Sequence, residues 1–258
     1  MKAYELTEWL NSRYREDAAE EWDNVGLLVG DDTREIRSVF LALDADDSVI
    51  EQAVGKEADM LITHHPMIFG GIKKISNHSF TGRRILTLIR NEIVYYAMHT
   101  NYDILGMADL SAEYLELQDT EVLSATDETG SEGFGRTGIL KKEMTLQEFG
   151  SYVKERLSLS DVRIYGDPGT ICRKAAVCTG SGKSMLKDVR KAGAQVYVTG
   201  DIDYHTGIDA VADGLCIVDA GHYGTEFVFV EAMKKVLSRE FPELEIHCAE
   251  KKSPYTLL

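Results

Sequence analysis

The chain is poor in several features that would point to other kinds of protein. It carries only four cysteines and four prolines in 258 residues. Cys172, Cys178, Cys216 and Cys248 form no CxxC pair, so the ligand spacing of a structural zinc module is missing. A chain this long needs no disulfide framework, and Cys172, Cys178 and Cys216 lie in apolar stretches, which reads as buried thiols in a reducing compartment. Long hydrophobic runs are absent. The longest, Ile93–Met98, falls far short of the roughly 20 residues of a membrane span. The amino end, Met1-Lys2-Ala3-Tyr4-Glu5-Leu6, lacks the apolar core of a signal peptide. Positive charge is scarce: 28 Lys and Arg face 43 Asp and Glu, a formal charge of −15. Such a surface repels phosphate backbones, which excludes nucleic-acid polymers as partners. A cytoplasmic protein without membrane contact is expected.

What is present reads as an α/β protein. Hydrophobic residues at 44% and charged residues at 28% are ordinary globular values and exclude a disordered chain. Short apolar runs alternate with amphipathic stretches. Strands are expected at Ser38–Asp44, Asp59–His64, Ile93–His99, Ala175–Thr179, Gln195–Thr199 and Cys216–Ala220, most of them apolar throughout, as in sheets covered on both faces. Helices are expected at Thr7–Tyr14, Ser48–Glu57, Phe80–Arg90, Leu110–Leu117, Leu146–Leu157, Ser184–Lys191 and Glu226–Arg239. Leu41–His65 and Val177–Asp201 align without a gap, and both read strand, polar turn, helix, small residue, strand. The expectation is two similar α/β lobes related by this repeat. Residues 1–125 form the first lobe, which can also receive the C-terminal segment, and 126–258 the second. The polar stretch Gln118–Gly138 reads as their connection.

Polar clusters follow the apolar runs: Thr63-His64-His65-Pro66, His99-Thr100-Asn101-Tyr102-Asp103, Thr199-Gly200-Asp201 and Asp219-Ala220-Gly221-His222. The carboxyl edge of a parallel sheet is where ligands bind. Neighbouring side chains of a strand point to opposite faces, but at a strand end followed by Pro66 the chain turns, and His64 and His65 can each address a different ion of a close pair. His222 and Glu226 stack on one helical face if a helix starts near Gly221, a set that suits Zn, Mn or Fe. For each pair taken alone, backbone hydrogen bonding or helix capping is the competing account. Asp103 reads as a ligand with His99 as its orienter, or either as a cap. Asp201, Asp203 and His205 stay open between capping and ligation. His247, in an acidic tail strand, reads as exposed. Thr179–Ser184 ends in Gly-Lys-Ser but has Val177 where a P-loop needs glycine, so it is at most an anion site at a helix start. Gly133–Gly138 reads as a glycine turn that places Arg136.

Taken in order, Glu21-Trp22-Asp23-Asn24-Val25-Gly26, Thr63–Pro66, His99–Asp103, Gly133–Gly138, Thr199–Asp201 with Tyr204-His205, and Gly221-His222-Tyr223-Gly224-Thr225-Glu226 closely resemble the GTP cyclohydrolase I type 2 homologs, the NIF-three-like proteins, in their short form without a central insert. The resemblance implies two similar α/β lobes with the metal site between them, and a ring-shaped homohexamer. It also implies two divalent ions (Zn, Fe or Mn), one held by His65, Asp103 and Glu226, the other by His64, His222 and Glu226, with Glu226 bridging. A metal-dependent hydrolase acting on a small molecule, GTP among the options, follows, with His99 and His205 as the candidates for proton transfer. The alternative is a metal-binding, metal-delivery or interaction protein that catalyses nothing. The acidity strains a triphosphate substrate unless the ions, with Arg136 or Lys183, supply positive charge.

Overall fold

A computed structural model describes residues 1–256. Its strands are β1 (Gly26–Val29), β2 (Ser38–Ala42), β3 (Met60–Thr63), β4 (Val94–Ala97), β5 (Gln118–Ala125), β6 (Gly133–Thr145), β7 (Arg163–Tyr165), β8 (Ile171–Ser181), β9 (Val196–Gly200), β10 (Cys216–Asp219) and β11 (Glu245–Cys248). They form two sheets, one in each of two compact units. The first unit comprises Met1–Tyr102 and Phe229–Lys252, and the second Asp103–Val228 with the stretch that starts at Ser253.

In the first unit the sheet order is β1-β4-β3-β2-β11, parallel except for β1. Every residue of β2, β3 and β4 is buried, as their unbroken apolar runs require. The crossover helices begin at polar caps: Asp46 accepts from the Val49 amide and Ser79 from the Gly82 amide. Phe40, Leu61 and Tyr95, almost wholly buried, form the heart of its core. All six anticipated strands and all seven anticipated helices have counterparts, shifted by a few residues at their ends.

In the second unit β8, β9 and β10 run parallel, with antiparallel β6 and β7 on their two sides and β5 outermost. The repeat is real at the level of secondary structure. Leu41–His65 spans the end of β2, a helix and β3, and Val177–Asp201 spans the end of β8, a helix and β9, each a parallel strand–helix–strand unit. His65 and Asp201 occupy equivalent positions just past the second strand.

Three expectations need correction. Gln118–Gly138 is no connection but the β5–β6 hairpin. Leu123 is the only buried residue of β5, so an exposed edge strand has the polar composition of a linker. Gly133–Gly138 lies within β6 and makes no turn; Gly135, at φ +64°, lets the strand press against β8, where a Cβ would come within 2.5 Å of the Val177 carbonyl oxygen. Helix Tyr204–Ala212 was not anticipated, although Asp203 caps it by accepting from the Thr206 amide. No helix among the described residues is long and apolar enough to cross a membrane.

Candidate metal centre

Each unit gathers metal-type donors at the carboxyl ends of its parallel strands. In the first, the ladder continues past β3: the amides of His64 and His65 donate to Ala42 and Leu43. That backbone grip, with Pro66 behind it, leaves the two imidazoles 5.0 Å apart by ring centroids. His99, just past β4, joins them, and one ring nitrogen from each of the three lies within 4.8 Å of the others. His64 is wholly buried.

Each of these rings is fixed through Nδ1. His64 meets the Met98 carbonyl oxygen at 2.9 Å, His65 the Asp44 carboxylate at 2.8 Å and His99 the Asp23 carboxylate at 2.9 Å. A carbonyl or ionised carboxylate only accepts, so Nδ1 must carry the proton, and a neutral ring then has its lone pair on Nε2. Second partners of this kind orient metal-binding histidines and raise their basicity.

Asp23 is the most heavily engaged of these acids. Its carboxylate accepts from His99 Nδ1, from the Thr100 amide at 3.0 Å and from the Thr100 hydroxyl at 2.5 Å. Burial pushes its carboxyl up, but the hydrogen bonds from His99 and Thr100 outweigh it and hold the group well below the usual carboxylate range. Because the folded pKa is depressed, the unfolded chain binds more protons, and the stability Asp23 contributes is present above pH ~4 and lost as pH falls further. Asp23→Asn is expected to cost about 1–3 kcal/mol at pH 7. The gap from the parent protein should shrink when urea unfolding is repeated near pH 3; a gap of constant size would contradict this account.

In the second unit the donors are Asp103, His222 and Glu226. Gly221, at φ +75°, breaks the chain out of β10 and starts the short helix His222–Glu226, which stacks His222 Nε2 3.1 Å from Glu226 Oε2. Asp201 fixes His222 through Nδ1 at 2.8 Å, the fourth ring held in this way. Asp103 opens the π-helical turn Asp103–Met107, a distortion frequent at functional sites. One of its oxygens lies within 4.8 Å of one from Glu226. Glu226 is 4% exposed, so two carboxylates approach where little water screens them, and a divalent cation is the partner that suits them.

The backbone leaves room for this carboxylate on purpose. Gly180, at φ +65°, faces it: a Cβ there would stand 2.2 Å from Glu226 Oε1 and 3.4 Å from His222 Nε2. The Gly180 amide donates to Thr225 Oγ1, and the Gly182 amide to Thr199 Oγ1. The Gly-Ser-Gly-Lys segment therefore spends these two amides inside the protein and walls a carboxylate, so neither serves the anion site that was the most the segment could offer.

The remaining candidates fall elsewhere. His205 lies on helix Tyr204–Ala212 and belongs to none of the donor groups among the described residues. Asp203 is a helix cap. Arg136, expected to be placed by a turn, is buried and donates to Asp109 and to the carbonyls of Gly133 and Gly135. Lys183 pairs with Asp203 at 3.7 Å. His247 is half-buried beside Glu245. All four cysteines are free, and burial pushes the Cys178 thiol up to about 12, with the charges of Asp103 and Glu226 adding to the rise. The orienting acids Asp23, Asp44 and Asp201 were not assigned this role from sequence. Asp44 and Asp201 signal it by sitting just past β2 and β9.

The family Duf34/NIF3 (NGG1p interacting factor 3) matches residues 1–254. A Clostridium perfringens protein named GTP cyclohydrolase 1 type 2 homolog is 35% identical over 243 residues, covering 93% of both chains. Among solved structures, a Staphylococcus aureus hypothetical protein superposes with a TM-score of 0.93 at 27% identity, over 100% of this chain and 99% of that one. Reduced HcgD from Methanocaldococcus jannaschii superposes with a TM-score of 0.82 at 33% identity, over 96% of this chain and 97% of that one. The chain belongs to the Duf34/NIF3 family.

Proposed function

We propose that the protein is a metal-dependent hydrolase of a small molecule. In this reading His64, His65, Asp103, His222 and Glu226 hold two divalent ions and Glu226 is shared by both. The observation that carries it is the common fixing of His64, His65, His99 and His222 through Nδ1 to an oxygen acceptor, which aims four Nε2 lone pairs as ligands or bases. Zn, Mn and Fe all suit imidazole with carboxylate.

Bound ions of this kind lower the pKa of a water and stabilise negative charge developing on the substrate. The chain's own residues do the rest. Asp23 keeps His99 in the tautomer whose Nε2 accepts a proton, beside the ring nitrogens of His64 and His65. His205 is the weaker proton carrier in this reading. The relatives' name puts GTP first among substrates: water would add at C8 of the purine, the C8–N9 bond would break to open the imidazole ring and leave a formamide, and His99 would pass the water's proton to N9. Arg136 and Lys183 are engaged by Asp109 and Asp203, so charge to balance phosphates would come from the ions. A ring-shaped homohexamer is the assembly proposed with it.

The test is turnover of GTP by metal-reconstituted protein, read by product chromatography. A ring-opened product should form, and its rate should fall by about 10²–10⁴ in His99→Gln. Absence of product, or an unchanged rate in that variant, would refute the cyclohydrolase step. Retained metal without turnover on a wider substrate panel would favour metal delivery instead.

A further inference from the structure

Two large aromatic side chains stand exposed in the first unit, and both touch the same imidazole. Trp22 is 60% exposed and Phe69 53% exposed. Trp22 meets His99 edge-on with ring centroids 5.9 Å apart at 75°, and Phe69 does the same at 5.9 Å and 83°. His99 itself is largely covered, with 15% of its side chain exposed. Large aromatics left this open forfeit most of their burial energy, and aromatics so placed beside polar reactive groups are typical of sites where a ligand completes the burial.

The loops that carry them are not loose. Trp22 immediately precedes Asp23, whose carboxylate is bound by His99 and Thr100. Asn24 Nδ2 donates to the Ile68 carbonyl at 2.6 Å, which ties the Trp22 segment to the residue before Phe69. Phe69 belongs to the irregular stretch between β3 and helix Phe80–Arg90, a connection long enough to be characteristic of binding loops. Phe69 also lines an open groove of about 620 Å³ with Asp23, Asn24, Ile72 and Ile75 among others, a volume in the small-molecule range, although Trp22 and His99 are not in its wall.

We propose that Trp22 and Phe69 form an aromatic clamp that binds a planar heteroaromatic ring and presents it to His99. A ring between or against these faces gains stacking that tolerates many ring types, whereas a bare phosphate, with no face to stack, gains nothing from them. The clamp deepens the hydrolase reading by naming the part of the substrate that this wall selects, and it rests on that reading for the purpose of His99.

The test uses full-length, metal-reconstituted protein carrying Trp9→Phe, which leaves Trp22 as the single tryptophan of the two in the chain. Guanosine, adenosine and nicotinamide are titrated while Trp22 fluorescence is read, with ribose and inorganic phosphate as comparisons. Calorimetry covers the variants that lack Trp22. Saturable quenching by at least one ring compound and by neither comparison is expected. Phe69→Ala and Trp22→Leu should each weaken that binding about tenfold or more, with metal content unchanged. The proposal is overturned if no ring compound binds to metal-loaded protein. It is equally overturned if the variants keep parental affinity, or if they change only the sedimentation of the assembly, which would make these side chains a contact with a second copy. Loss of metal from the parent itself would instead strike the hydrolase reading, so the two failures are distinguishable.

Discussion

Gly180→Ala is expected to strip metal from the protein while leaving it folded. The residue sits at φ +65°, where alanine costs about 1–2 kcal/mol for backbone strain alone. The larger effect is local. Its new methyl would lie 2.2 Å from Glu226 Oε1, and the backbone cannot retreat easily because the Gly180 amide is bound to Thr225 Oγ1. The far end of Glu226 must swing away, and that end is the carboxylate on which both ions depend in the proposed site. Metal affinity should fall by about 10–100-fold, the range seen when the surroundings that hold a ligand in place are disturbed. Gly193→Ala is the matched comparison: its φ of +71° carries the same strain, but nothing stands within 4 Å of the added methyl. Chelator competition together with thermal melting should show both variants slightly destabilised and only Gly180→Ala depleted of metal. Equal affinity in the two would contradict the role given to Gly180.

Much of the fold was legible because burial leaves a direct trace in sequence. β2, β3, β4, β9 and β10 are apolar runs between amphipathic helices, and each run is covered on both faces. Several of the elements that escaped are those for which burial leaves little trace, although β6, with seven buried residues rich in glycine and polar side chains, escaped too. β5 is an exposed edge, and β7 has three residues with none fully buried. Helix Tyr204–Ala212 hid behind a polar start that is in fact its cap.

The candidate site shows the same division. His64, His65, His222 and Glu226 stand out by spacing and by position after a strand, although capping or backbone bonding competes for each pair alone, and the structure places all four in possible donor groups. His99 reads differently in the structure: the sequence suggested an orienter for Asp103, whereas its ring belongs with those of His64 and His65 and is itself oriented by Asp23. The orienting acids are separated from their histidines by 21 residues for Asp44 and His65, 76 for Asp23 and His99, and 21 for Asp201 and His222. Pairings over such distances are set by which strands lie side by side, so no local pattern records them. The glycines misled for a related reason: Gly135 and Gly180 serve close approach of a neighbouring strand or side chain, which looks in sequence like a turn or a phosphate loop.

The proposed centre requires two bound ions. Purified protein reconstituted with Zn, Mn or Fe(II) and then freed of excess ion should retain about two equivalents per chain by elemental analysis, as a two-ion site requires. Glu226→Gln, which keeps the size of the side chain and removes its charge, should fall well below one equivalent, because the shared carboxylate serves both ions and leaves behind only three neutral rings and the single carboxylate of Asp103. Circular dichroism of the variant should match the parent, since the replacement fits the same space beside Gly180. Two equivalents in the parent and their loss in Glu226→Gln is the predicted result. Fewer than about one equivalent in the reconstituted parent, or full retention in Glu226→Gln, would contradict it.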